Sequence, residues 1–198
     1  MRIHSNIVKK RDFRKLHLAS ECRHKEKPIY SWELTSAIRH DSPRFRKLLM
    51  RITGELGDVY GDKAYSSRKN VELAVERGGR PFLMPKNNAS NRAKGHQAWK
   101  DMIKYIEEHP RAFKNSYHKR NNAESTNSAF KRKFGDILAS RKWNMQKIET
   151  GIKVVIYNIR LLIRYRIRTE MELLDYAQSE HRYIKCWPAL SSAETFNQ

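Results

Sequence analysis

One stretch restricts the fold more than any other. Residues 117–131 read YHKRNNAESTNSAFK, and Tyr117, Arg120, Glu124 and Lys131 recur there at gaps of 3, 4 and 7. At ~100° per helical residue these four fall within one sector about 60° wide. Ala123, Phe130, Phe134 and Ile137 fall on an adjoining sector, so a helix here has an apolar side that packs and a polar side beside it. Asn121 or Asn122 is its expected N-cap, which puts Glu124 near the first turn and Tyr117 just before the helix. One carboxylate flanked by Arg and Lys suits a group that holds a metal while its neighbours hold phosphate oxygens. The plain alternative is a solvated, salt-bridged helix face.

The spacing Y-x2-R-x3-E-x6-K resembles the pattern around the third acidic residue of DDE transposases from bacterial and archaeal insertion sequences. Upstream, Gly61-Asp62-Lys63-Ala64-Tyr65 is similar to the motif around that family's second acidic residue. The strand that KLHLAS (15–20) resembles ends, in the family, in the first catalytic aspartate; this chain has Glu21 there, one methylene longer. The resemblance covers residues 15–163. Only twenty residues precede Glu21, so the chain looks like the catalytic portion of a transposase, truncated at its N-terminus.

The charge agrees with such a partner. Lys and Arg number 41 against 21 acidic residues, a net charge of +20. That balance points to a polyanion, nucleic acid before a membrane surface, since no basic amphipathic helix or lipidation motif stands out. Cys22 and Cys186 match no metal spacing and read as reduced thiols in a cytoplasmic protein. No apolar run is long enough for a signal peptide or a membrane span. Walker, GxGxxG, HExxH and nucleophile-elbow motifs are missing.

Along the chain, 15–21 and 29–37 alternate like strands and read as an antiparallel hairpin, with Tyr30, Trp32 and Leu34 on one face. A helix is expected over 41–54, with Ser42 as cap, Pro43 at its first position and Gly54 at its end. His40 and Asp41 lie before it in a capping role. Asp58-Val59-Tyr60-Gly61 reads as a short strand leading into Asp62, with Gly61 and Ala64 small enough for backbone or DNA to come close. A helix over 66–77 follows, then a buried strand at 81–85, a polar loop at 86–96 and a helix at 96–109 stopped by Pro110. The most hydrophobic helix is 145–165, with Ile148, Ile152, Val155, Ile159, Leu162 and Ile163 as its stripe, to be packed across the sheet or against another copy. Arg160, Arg164, Arg166 and Arg168 would sit at its C-terminal end.

This order suits an α/β chain, and the resemblance implies a ribonuclease-H-like mixed sheet flanked by helices. It divides into a basic segment (1–14), the catalytic domain (15–165) and a tail (166–198). The resemblance further implies that Glu21, Asp62 and Glu124 are catalytic and hold two Mg2+ or Mn2+ ions about 4 Å apart. Tyr117, Arg120 and Lys131 would bind DNA phosphate. The implied reaction is strand cleavage and transfer in DNA transposition. The implied partners are double-stranded DNA, at the element ends and the target, and a second copy of the chain. Two other readings compete: an inactive remnant that binds DNA without sequence preference, and a basic RNA- or ribosome-associated protein.

Overall fold

The computed structural model describes residues 13–87, 89 and 95–185, with side chains through Asp175. The chain divides into two compact units, Met1–Asn158 and Ile159–Gln198.

The first unit begins with the expected hairpin. β1 (Arg14–Ser20) pairs antiparallel with β2 (Ile29–Ser36), and Leu16 lies opposite Leu34. α1 (Ser42–Met50) packs on both strands and buries Phe45, Leu48 and Leu49. Its cap differs from expectation. Asp41, not Ser42, holds the N-cap position, and instead of capping, its carboxylate takes Lys15 Nζ at 3.0 Å. The helix ends at Met50, and Gly54 follows in the left-handed region at φ 85°.

β3 (Asp58–Gly61), α2 (Arg68–Glu76) and β4 (Arg80–Leu83) form a βαβ unit whose two strands run parallel. Ser67 caps α2 by accepting from Asn70 N. Phe82 and Leu83 are fully buried, as the proline-flanked strand predicts. α3 (Gln97–Glu108) lays Trp99, Met102 and Ile103 on α2, which closes the core with Phe45, Leu49, Val71 and Leu83. The loop expected at 86–96 falls largely outside the described residues, as does most of the 1–14 segment.

Pro110 does more than stop α3. It opens a further helix, α4 (Pro110–Tyr117), at its first position, where its missing N–H costs nothing. A 3₁₀ turn (His118–Arg120) then runs straight into α5 (Asn121–Phe134). Tyr117 therefore ends one helix and Glu124 stands in the first turn of the next, and neither Asn121 nor Asn122 caps. The N–H of Asn121 already bonds the carbonyls of His118 and Lys119. On α5 the buried residues are Thr126 and Phe130; Ile137 lies beyond Gly135 and is exposed.

α6 (Trp143–Lys185) is longer than expected and spans the boundary of the two units. In the first unit it buries Thr150, Val154 and Tyr157, while Ile148, Ile152 and Val155 stay about half exposed. Hydropathy marked Val154 but missed the rest of the packed face, which adds small and polar groups to it. The Thr150 hydroxyl donates to Gln146 O. A Cβ on Gly151 would stand 2.9 Å from Trp32 Cζ2. Asn158 bonds both the N–H and the carbonyl of Ile29. The preceding loop is clipped to α6 by Glu149, which accepts from Ala139 N, Ser140 N and Lys153 Nζ. The Lys153 bond outweighs burial, and with the loop N–H groups it pulls the Glu149 carboxyl down to about 2. In the second unit the helix continues to Lys185, so the arginine cluster is not at a helix end. Arg166 and Arg168 pair instead with Glu170 and Glu172 one turn on.

The architecture is thus mixed α/β, but the described strands form two separate two-stranded sheets rather than one mixed sheet. The outer edges of β1 and β3 line a common cleft instead of hydrogen-bonding to each other.

Candidate carboxylate cleft

The cleft takes its walls from residues 13–24, from 55–62 and from one side of α5. Its volume, about 1520 Å³, exceeds the ~300–1,000 Å³ of small-molecule sites and leaves room for a polymer. Glu21, Asp62, Arg120, Glu124 and Lys131 all line it.

Asp62 stands at the end of β3. Its Oδ1 accepts from Lys63 N at 2.7 Å and so starts a one-turn 3₁₀ helix, Lys63–Tyr65. Gly61 before it is required by packing rather than by an approaching ligand, because a Cβ there would meet Leu83 Cδ2 at 2.6 Å. The turn is anchored from below. Tyr65 N donates to Asp62 O, and the Tyr65 hydroxyl meets His17 Nδ1 at 2.7 Å. His17 Nε2 lies 3.0 Å from Thr35 Oγ1. The neutral ring can accept from one hydroxyl and donate to the other. Burial lowers the His17 pKa and favours that neutral form.

Glu124 faces Asp62 across Arg120. Arg120 Nη1 is 2.7 Å from Glu124 Oε1 and 3.6 Å from Asp62 Oδ1. Both carboxylates remain more than half exposed, whereas the guanidinium is mostly covered. Tyr117 supplies part of that cover, its ring centroid 5.4 Å from Arg120 Cζ. The Tyr117 ring in turn stacks on buried Phe113 at 6.1 Å. Burial raises the Tyr117 pKa and Asp62 and Glu124 add to the rise, with Arg120 opposing. Lys131 lies two turns along α5, 3.7 Å from Asp136.

Glu21 lines the cleft but is engaged elsewhere. Its Oε1 accepts from Cys22 N at 2.8 Å and Arg23 N at 2.7 Å, and its Oε2 from the Tyr30 hydroxyl at 2.9 Å. Burial pushes the carboxyl up, but these donors overcome it and leave the pKa lowered. The turn carrying Glu21 is tied to α5. Asn122 Nδ2 donates to Cys22 O, and Lys27 Nζ donates to Asn122 Oδ1 and Ser125 Oγ. Asn122 and His17 are site-supporting residues that sequence reasoning missed. His17 was legible only as one polar residue alternating along a strand.

As a test of metal fit, Asp62 and Glu124 are hard oxygen donors that converge on one positive charge, which suits a divalent cation. Glu21 does not join them, and among the described residues no group of three or more acidic, His or Cys side chains converges on one point.

An α/β domain whose open cleft holds two carboxylates over one guanidinium fits the class of proteins that act on phosphodiesters. More particularly, residues 2–159 match the family described as Transposase DDE domain, and the chain belongs to that family. Membership implies a transposition function, nuclease and transesterase chemistry assisted by divalent metal, and DNA as partner. No curated protein and no solved structure shows a significant match. No helix among the described residues is long and apolar enough to cross a membrane.

Proposed function

We propose that this chain is a transposase catalytic domain that cleaves and transfers DNA strands with Asp62 and Glu124 at the centre of its site. The observation that carries the reading is the convergence of both carboxylates on Arg120 Nη1. Asp62 and Glu124 would hold Mg2+ or Mn2+. Glu21, on the wall of the same cleft, would complete a two-ion site by releasing its turn N–H groups. Such ions, when bound, lower the pKa of an attacking water or 3′-hydroxyl and stabilise the leaving oxygen. Arg120 would then turn its guanidinium from the carboxylates to two oxygens of one phosphate, a bidentate contact that fixes the strand. Tyr117 shields Arg120 from water on one side, which strengthens that contact. Lys131 reaches the next stretch of backbone as a mobile point charge.

The ribonuclease-H-like arrangement is supported by the order of elements: a hairpin, a helix, a parallel βαβ unit with an acid at its first strand end, and a helix with a second acid. A homodimer is supported by the exposed Ile148, Ile152 and Val155, spaced at 4 and 3 along the helix in the first unit. The expected setting is the cytoplasm, against the nucleoid.

Calorimetric Mn2+ titration tests the site. Binding should vanish in Asp62→Ala and persist in Glu21→Asp. Normal binding by Asp62→Ala would sink the assignment. The engaged Glu21 favours a second reading, an inactive remnant that only holds DNA. That reading predicts Mn2+ binding by Glu21→Asp alone and no cleavage of element ends by the native chain.

A further inference from the structure

We propose that the groove along the outer edge of β2 is a second DNA-binding surface, which takes the phosphate backbone of a duplex other than the one in the carboxylate cleft. Residues 30–36 line this groove consecutively, so it follows the edge of the strand rather than one face. β2 pairs only with β1 among the described strands, which leaves that edge open. An open edge invites another strand, but here Arg51 Nη1 donates to the Trp32 carbonyl and occupies an edge acceptor. Strand addition would have to displace it.

Charge decides the occupant. Arg14, Arg39, Arg44, Lys47, Arg51 and Lys147 line the groove against a single acid, Glu33. Glu33 is shared by Arg44 and Lys47, each at 3.2 Å, and neutralises one charge of the six. The far wall is firm. Arg14 Cζ and Lys147 Nζ lie 4.9 and 5.1 Å from the Trp143 ring centroid, and Arg14 Nε bonds Gln146. The eight residues of β2 extend about 27 Å, the axial length of roughly eight base pairs. A concave groove of that extent lined by six cations suits one strand of a duplex backbone. The groove and the cleft lie along the same hairpin, one mainly along β2 and the other mainly along β1, and Arg14 and Arg51 line both. A duplex in the groove would therefore border the cleft at Arg14 and Arg51, where transfer of a strand between two duplexes would need it. This last step rests on the transposase reading; the groove's affinity for DNA does not.

The test is fluorescence anisotropy of the full chain with a labelled 20-base-pair duplex over a range of salt. The variant R39E/K47E/K147E changes three exposed groove side chains. The variant K104E/R111E/K114E changes net charge equally, on exposed positions of α3 and α4. The groove variant should bind at least tenfold more weakly than this control, with a salt slope shallower by about three. Single Arg39→Ala and Lys147→Ala variants, far less able to disturb folding, should each reduce the slope by about one. Equal affinities and slopes for the groove and control sets would overturn the proposal. So would a structured RNA of equal length binding preferentially through the same three residues. Mn2+ binding measured on the groove variant separates the two readings: if it is unchanged while DNA binding is also unchanged, the groove fails and the carboxylate site stands.

Discussion

Arg120 is the residue on which the site turns. Two carboxylates facing one cleft repel, and a single guanidinium between them offsets that repulsion without leaving the protein. Its Nε is buried without a partner, which marks a side chain held for more than its ion pairs. Arg120→Ala is expected to lower strand cleavage about 10²-fold, as loss of a charged phosphate contact does, while Mn2+ binding persists. Loss of both together would make Arg120 a scaffold for the carboxylates instead. The sequence had all four signature residues and put Tyr117 ahead of the helix, but nothing in YHKRNNAES announces that Tyr117 ends a helix of its own or that a 3₁₀ turn joins the two. Glu21 was legible as an acid at a strand end. That two turn N–H groups and a tyrosine hydroxyl would engage it was not, since those partners come from backbone geometry. His17 adds a titration. Its pKa is lowered by burial, so the neutral ring contributes stability that is complete above about pH 6.5 and is lost as pH falls through the folded value. His17→Gln, which keeps an acceptor and a donor, should flatten the fall in melting temperature just below pH 6.5. An unaltered slope would assign that acid sensitivity to other groups. Glu149, held at about 2, is expected to dominate only below about pH 4.5, as its carboxyl protonates and releases the loop.

At the scale of elements, the tether between the hairpin turn and α5 matters most. Asn122 joins Cys22 O and Lys27 across a sequence separation of about 100 residues, and it sets where Glu21 stands relative to Glu124. Asn122→Ala removes both bonds, and at roughly 0.5–1.5 kcal/mol each the expected loss is about 1–3 kcal/mol by urea denaturation. Mn2+ affinity should fall with it by several-fold, because Glu21 would no longer be held on the wall of the cleft. Unchanged cation affinity in a folded variant would remove Glu21 from the site. The hairpin, α1, the βαβ unit and α3 were all readable from apolar periodicity and from the Pro, Ser and Gly that bound them. α4 was not, because Pro110 was read as a stop when it also suits a helix start. That the expected mixed sheet would be two separate pairs of strands was not legible either: whether two strand edges bond depends on what lies between them, and here a cleft does.

The whole molecule carries far more positive charge than a fold of this size needs, and its apolar surface is as unbalanced. The hydrophobic stripe that the sequence set to pack across the sheet or against another copy is exposed in the first unit, at 53%, 54% and 56% for Ile148, Ile152 and Val155. Packing there uses Thr150, Val154 and Tyr157, so the stripe is free for another surface. The 4-3 spacing of Ile148, Ile152 and Val155 is that of a helix seated against a like helix, with a β-branched residue at each position. Like charges elsewhere on the two copies oppose their approach, so association should tighten as salt screens them. DNA binding should weaken over the same range, because its favourable term is counterion release. The two dependences have opposite sign and can be read on one sample. Sedimentation of the full chain is expected to show a dimer that strengthens between low and moderate salt. Ile152→Glu, which puts a charge at the centre of the stripe, should leave a monomer with unchanged circular dichroism. A native chain that stays monomeric at every salt concentration, or an Ile152→Glu chain that still dimerises, would show that α6 does not carry the contact between copies.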